Sequence, residues 1–166
     1  MHLLAEMRLD GVAPNEVIFG GLISACRKGG QPQRARDLLF RMLELRLRPN
    51  VQVFNVVIAG LCEGDAPDPE AARAVLAALE QKRTLRPTPG TFGPIAEAFA
   101  VQGDWRSALE VLQAMTARGI RPRVETFTAV VQACEKGRQW GKALQVRACV
   151  YTAVSALCLF CARRSG

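Results

Sequence analysis

The sequence predicts an all-α fold, a right-handed α-solenoid of helix–turn–helix repeats of about 35 residues. Prolines mark the period: Pro14 to Pro49 is 35 residues, Pro49 to Pro87 is 38, and Pro87 to Pro122 is 35. Phe19, Phe54, Phe92 and Phe127 repeat those intervals, each five residues after its proline. Between these markers, apolar residues recur at i, i+3, i+4 and i+7, the spacing that places four side chains on one helix face.

The elements follow in chain order. Residues 1–15 read as the second helix of an incomplete repeat. Repeat 1 (16–50) pairs the stripe Phe19/Leu22/Ile23/Cys26 with Ala35/Leu38/Leu39/Met42. Repeat 2 (51–88) pairs Phe54/Val57/Ile58/Leu61 with Ala72/Val75/Leu76/Leu79, and its 38 residues place the surplus in Asp65–Glu70 and near Lys82–Leu85, outside both stripes. Repeat 3 (89–123) pairs Phe92/Ile95/Ala96/Phe99 with Ala108/Val111/Leu112/Met115. Repeat 4 (124–149) opens on Phe127/Val130/Val131/Cys134 and then degenerates: Arg147 stands where a buried Leu is expected, and Leu157 where a closing proline is due. Every stripe residue from Phe19 to Met115 is expected to be buried.

Turn chemistry separates the stripes. Lys28-Gly29-Gly30, Gly64-Asp65-Ala66-Pro67, Gln102-Gly103-Asp104 and Lys136-Gly137-Arg138 follow the first helices. Glycine there can adopt the left-handed conformation that ends a helix. The recurring prolines then stop the second helices, because proline lacks an amide hydrogen and restricts the residue before it. A single pair cannot bury two narrow apolar faces, so the pairs must stack.

Composition narrows the function. Hydrophobic residues make up 49% of the 166, which argues against disorder and allows a continuous core. The formal charge is +7, which draws polyanions or simply keeps the protein soluble. Six cysteines stand at 26, 62, 134, 149, 158 and 161, the first three at apolar helix positions; this predicts a reducing compartment without a disulfide framework. The single histidine, His2, leaves little material for imidazole metal sites or His-based triads. Cys158-Leu-Phe-Cys161 has C-x-x-C spacing but stands alone in an apolar run. That run, residues 148–161, is too short for a bilayer, which takes about 18 residues or more. The amphipathic pattern already begins at Leu3, so no cleavable leader or transit peptide is evident.

Several stretches together resemble the pentatricopeptide repeat family. They are Gly119-Ile120-Arg121-Pro122 with Met115, Gly11-Val12-Ala13-Pro14 with Met7, Cys134-Glu135-Lys136-Gly137, and Ala143-Leu144. The likeness covers residues 3 to about 146. The tetratricopeptide repeat fits less well, since its early Trp and its Leu-Gly pair followed by Tyr are missing.

The resemblance implies binding of single-stranded RNA, one nucleotide per repeat, in a mitochondrion or chloroplast, where it serves RNA processing, stability or translation. It implies no cofactor, no metal, no small-molecule substrate and no membrane. In that family the residue after the aromatic and the residue after the closing proline read the base. Here those pairs are Gly20 with Asn50, Asn55 with Thr88, and Gly93 with Arg123, while Thr128 stands alone. Gly20 and Gly93 have no side chain with which to read a base. The base-stacking positions hold Val17 and Gln52, followed by Gly90 and Glu125, and only Val17 has the apolar character expected. Base specificity is therefore expected to be weak.

The resemblance also makes Lys28 and Lys136 candidates for phosphate contact; helix C-terminal capping is the alternative. Glu63 and Val101 take their place in the middle repeats. The segment charges are −1, +4, −1, +1 and +4 for 1–15, 16–50, 51–88, 89–123 and 124–166. The half repeat at the start and the divergent apolar tail 150–166 suggest a fragment of a longer array. The tail reads equally as a degenerate capping helix, a partner-binding helix or a frame artefact.

An enzyme is not expected. The family's deaminase extension needs an H-x-E and a paired C-x-x-C, and its nuclease extension needs clustered aspartates. Asp10, Asp37, Asp65, Asp68 and Asp104 are scattered. The competing function is a protein-binding scaffold of the same fold.

Overall fold

The computed structural model describes residues 15–64, 66–82 and 84–153, with side chains up to Val146. The expectations for residues 1–14, for the side chain of Arg147, and for the tail with Cys158 and Cys161 lie outside the described residues. Eight helices occupy the described chain: α1 (Glu16–Lys28), α2 (Pro32–Glu44), α3 (Val51–Cys62), α4 (Pro69–Glu80), α5 (Pro89–Gln102), α6 (Trp105–Ala117), α7 (Val124–Lys136) and α8 (Trp140–Ala153). The fold is a right-handed α-solenoid of helix pairs, odd-numbered helices first and even-numbered second. Among the described residues no helix is long and apolar enough to cross a membrane.

Local chemistry sets the helix starts. The residue after each closing proline becomes the N-cap of a first helix: Asn15, Asn50, Thr88 and Arg123. Asn15 Oδ1 accepts from the Ile18 amide and Asn50 Oδ1 from the Val53 amide, both at 3.0 Å, which satisfies an amide the helix cannot. Second helices open on Pro32 and Pro69, or on the Asp104 cap before Trp105. The Ser107 hydroxyl, with the Ser107 and Arg106 amides, holds the Asp104 carboxyl below the usual aspartate range.

The helix ends expose a sequence imperfection. Gly30 and Gly103 close first helices at φ 65° and 75°, and Gly119 closes a second helix at 69°. Arg138 occupies the place of Gly30 and Gly103, and Arg46 that of Gly119, at φ 55° and 57°. A side chain in this region costs roughly 1–2 kcal/mol, against about 0.5–1 kcal/mol for the greater freedom glycine loses on folding. Arg46→Gly and Arg138→Gly should each stabilise the protein by up to about 1 kcal/mol. An unchanged or lower urea midpoint in both would refute this reading.

The stripes form one continuous core. Phe19, Phe54 and Phe92 are fully buried, as are Leu39, Met42, Leu79 and Met115. The expectation of complete burial fails at four positions: Leu22, Cys26, Leu76 and Leu112 are only half-buried, each packed against the core by one side. Leu22 and Cys26 lie on the flank of α1 remote from α3, since Gly20 and Arg27 face that helix. Leu76 and Leu112 share one register on α4 and α6, and Leu76 lines a groove between those two helices.

That groove reflects the layering. The first helices α1, α3, α5 and α7 pack side by side, α5 against α7 most extensively. Among the described residues, α2, α4 and α6 each pack on the first helix of their own repeat and of the next, and α8 packs on α7, with no comparable contact between second helices. The first helices are therefore the closely packed layer of the array. Burial pushes the Cys62 thiol up to about 12, helped by Glu97, Asp68 and Glu63, and burial raises that of Cys134 too. Both remain protonated and pack as small apolar groups.

Polar ties fasten each repeat to the next. Arg27 Nε donates to Glu63 Oε2 at 3.0 Å, and Gln33 Nε2 to Asp68 Oδ2 at 3.2 Å. Gln102 Nε2 donates to the Pro67 carbonyl at 3.0 Å, and Arg118 pairs with Glu80 at 2.7 Å. Such exposed pairs contribute at most about 1 kcal/mol each, so they set register while burial supplies stability.

Candidate nucleic-acid interface

The positions singled out for base reading cluster where one first helix meets the next. At the α3–α5 junction Asn55 and Thr88 come together: Asn55 Nδ2 donates to Thr88 Oγ1 at 3.4 Å. Thr88 is the N-cap of α5, so the chain turn after Pro87 delivers it to the side of α3. A third residue, absent from the sequence reading, completes the group. Thr91 Oγ1 donates to Asn55 Oδ1 at 2.7 Å and accepts from the Thr88 amide at 3.0 Å. Thr91 is fully buried. The available signal was a threonine before Phe92, and another (Thr126) before Phe127, where Ile18 and Val53 precede the earlier aromatics.

The other junctions share this register without its polar content. A Cβ on Gly20 would lie 4.0 Å from Val53 Cγ2, and one on Gly93 would lie 4.0 Å from Thr126 Oγ1. Gly93 has a local reason to be glycine. It precedes Pro94 inside α5, and a side chain in helical conformation before proline meets the ring. The Asn50 side chain is engaged in capping α3, and Arg123, the N-cap of α7, makes no side-chain cap bond. Thr128 Oγ1 donates to the Val124 carbonyl at 2.9 Å, which leaves it only acceptor capacity. Val17 is 81% exposed, and Gln52, Gly90 and Glu125 are exposed at the same register, a row of accessible positions beside the junctions.

The two lysines differ. Lys136 Nζ donates to the Val101 carbonyl at 3.1 Å, so it caps the C-terminal turn of α5, the preceding first helix rather than its own. An ammonium has three hydrogens, and two are left for other acceptors. Lys28 ends α1 on an open depression of about 500 Å³ that Ser24, Arg27, Val56 and Glu63 also line. Arg27 and Glu63 pair with each other there, so among the described residues Lys28 is that depression's uncompensated charge.

Profile comparison decides the lineage. The family profile described as a pentatricopeptide repeat domain matches residues 2–64, and one described as a pentatricopeptide repeat-containing protein matches residues 62–146, half of the chain. The chain belongs to the pentatricopeptide repeat family. Among its relatives, one Arabidopsis thaliana pentatricopeptide repeat-containing protein is 25% identical over 130 residues, 77% of this chain and 22% of the relative. A mitochondrial one is 25% identical over 134 residues (81% and 19%), and a chloroplastic one 29% over 133 (80% and 16%). The chain thus spans about a fifth of the length of these relatives.

Solved structures share the pentatricopeptide repeat fold. Maize PPR10 superposes with a TM-score of 0.72 at 23% identity, covering 90% of this chain and 21% of that one. PPR10 in complex with an 18-nt psaJ RNA element gives 0.64 at 22% identity, covering 86% and 20%. The pentatricopeptide repeat domain of Arabidopsis protein-only RNase P 1, in complex with tRNA, gives 0.74 at 19% identity, covering 94% and 81%.

Proposed function

We propose that this chain is a single-stranded RNA-binding module of an organellar pentatricopeptide repeat protein, without catalytic activity of its own. The supporting observation is the meeting of Asn55 and Thr88 at an accessible junction between first helices, in the register that family resemblance assigns to base reading. The crystallised relatives bound to an RNA element and to tRNA support the ligand class, and the mitochondrial and chloroplastic relatives support the compartment. With Gly20 and Gly93 lacking side chains, phosphate attraction by Lys28, the remaining hydrogens of Lys136 and neighbouring arginines dominates the affinity. Four repeats hold about four bases, so base selection is weak.

Binding to a pool of short single-stranded RNAs at increasing salt tests this. Each neutralised phosphate releases about 0.7 of a counterion on single strands, so affinity should fall linearly with salt on logarithmic axes. Lys28→Ala should lower affinity equally for all sequences and flatten the slope by about 0.7, whereas Asn55→Ala should alter preference at one nucleotide. Absence of RNA binding at low salt would overturn the reading.

One observation favours a protein-binding scaffold as the second reading. The Trp105 indole lies against Gly137 of the next repeat, and Leu109 packs on the core. Their counterparts one repeat later, Trp140 and Leu144, are 62% and 66% exposed. Capture of a protein partner through that apolar pair, without RNA binding, would establish the scaffold.

A further inference from the structure

We propose that Thr91 is a positioning residue that sets which end of the Asn55 amide meets a base. This rests on the RNA-binding reading and adds a specificity-determining residue outside the two base-reading positions. Thr91 Oγ1 accepts from the Thr88 amide at 3.0 Å, and of the two acceptors within its reach, Asn55 Oδ1 at 2.7 Å and Thr88 Oγ1 at 3.3 Å, the nearer takes its hydrogen. That bond occupies the amide oxygen on the buried side of the junction. The amide nitrogen makes a long 3.4 Å bond to Thr88 Oγ1, and its second hydrogen has no partner in the group. Asn55 is thereby a donor toward the interface, and repeat 2 ranks bases by the acceptor each offers at its exposed edge. Without the threonine the amide could rotate and offer either end, and the ranking would blur.

The neighbouring junctions isolate the rule. The residue before each aromatic faces the residue after the preceding aromatic: Val53 faces Gly20, Thr91 faces Asn55, and Thr126 faces Gly93. Only the middle junction combines an amide with a hydroxyl to hold it. The Cβ of an asparagine introduced at Gly20 would meet the Val53 methyl group at 4.0 Å, where the middle junction has the Thr91 hydroxyl.

The test combines a ligand-free and a ligand-bound readout on the full chain. By NMR, the Asn55 side-chain amide, assigned with Asn55→Asp, should give one sharp pair of signals, displaced from free-asparagine shifts, in the wild type and in Thr91→Ser. In Thr91→Val the pair should broaden and move toward the shifts of a free asparagine amide. In binding assays with RNAs varied at one nucleotide, a preference of roughly three- to tenfold, the worth of one net hydrogen bond, should fall below about twofold in Thr91→Val and return in Thr91→Ser. Because the valine variant also loses the bond from the Thr88 amide, transplantation gives a second arm. Gly20→Asn with Val53→Thr should create a preference at a further nucleotide, and Gly20→Asn alone should not. A wild-type preference retained by Thr91→Val, or equal gains from the single and double substitutions, overturns the positioning role while leaving RNA binding intact. A wild type that binds no RNA overturns the RNA reading itself, and the base-selecting role with it.

Discussion

Phe92→Ala should destabilise the protein by about 3–5 kcal/mol, the range for deleting a fully buried aromatic ring. Phe92 is 0% exposed and sits where three helices converge. It borders the groove with Leu76 of α4 and Val111 and Ala114 of α6, and the Arg118 guanidinium lies 5.9 Å from the ring centroid. Removing the ring leaves a void bordered by side chains from two repeats, which the packed surroundings close only in part. Net stabilities of about 5–15 kcal/mol make this roughly a fifth of the total or more for a typical domain. Urea denaturation followed by helical circular dichroism measures it. An unchanged midpoint would show that the ring lies outside the core.

The second large effect belongs to a glycine. A Cβ on Gly137 would lie 2.3 Å from Trp105 Cδ1 and 3.1 Å from its Cγ and Nε1, far inside carbon–carbon contact. The indole of α6 rests directly on the turn between α7 and α8, so Gly137→Ala must displace the ring or shift the turn. Overpacking of this kind costs roughly 1–3 kcal/mol. A double-mutant cycle identifies the cause: in a Trp105→Ala background the same glycine substitution should cost much less. An equal cost in both backgrounds would place the strain in the glycine backbone instead of the contact.

What the sequence made legible was local. The stripes and turns depend on residues within one helix or turn, and the register of Pro49, Pro87 and Pro122 marked Asn50, Thr88 and Arg123 as a set, whose shared role as helix caps emerged only in the structure. What it concealed lay between repeats. Lys136 was legible as a capping or phosphate-binding lysine, but the helix it caps is 35 residues upstream. Leu76 and Leu112 match their stripes perfectly, yet stay half-buried because second helices do not close against one another. Thr91 was hidden for a similar reason. It interrupts no stripe, and its partner Asn55 is 36 residues away on a different helix. Gly93 was read through its missing side chain, while its proline neighbour supplies a backbone reason for the same residue.

Among the described residues, the side-chain ties between helix pairs, from Arg27–Glu63 to Lys136–Val101, never skip a repeat. Closing any one of them therefore requires looping out only about one repeat of chain, and the entropy of that closure is the same wherever in the array it happens. Adding repeats lengthens such a protein without making any single contact harder to find. Assembly can then run like a zipper from whichever junction forms first, with each completed pair acting as the template for its neighbour. The same property makes the joint between two repeats, and not the repeat itself, the unit whose failure splits the array in two.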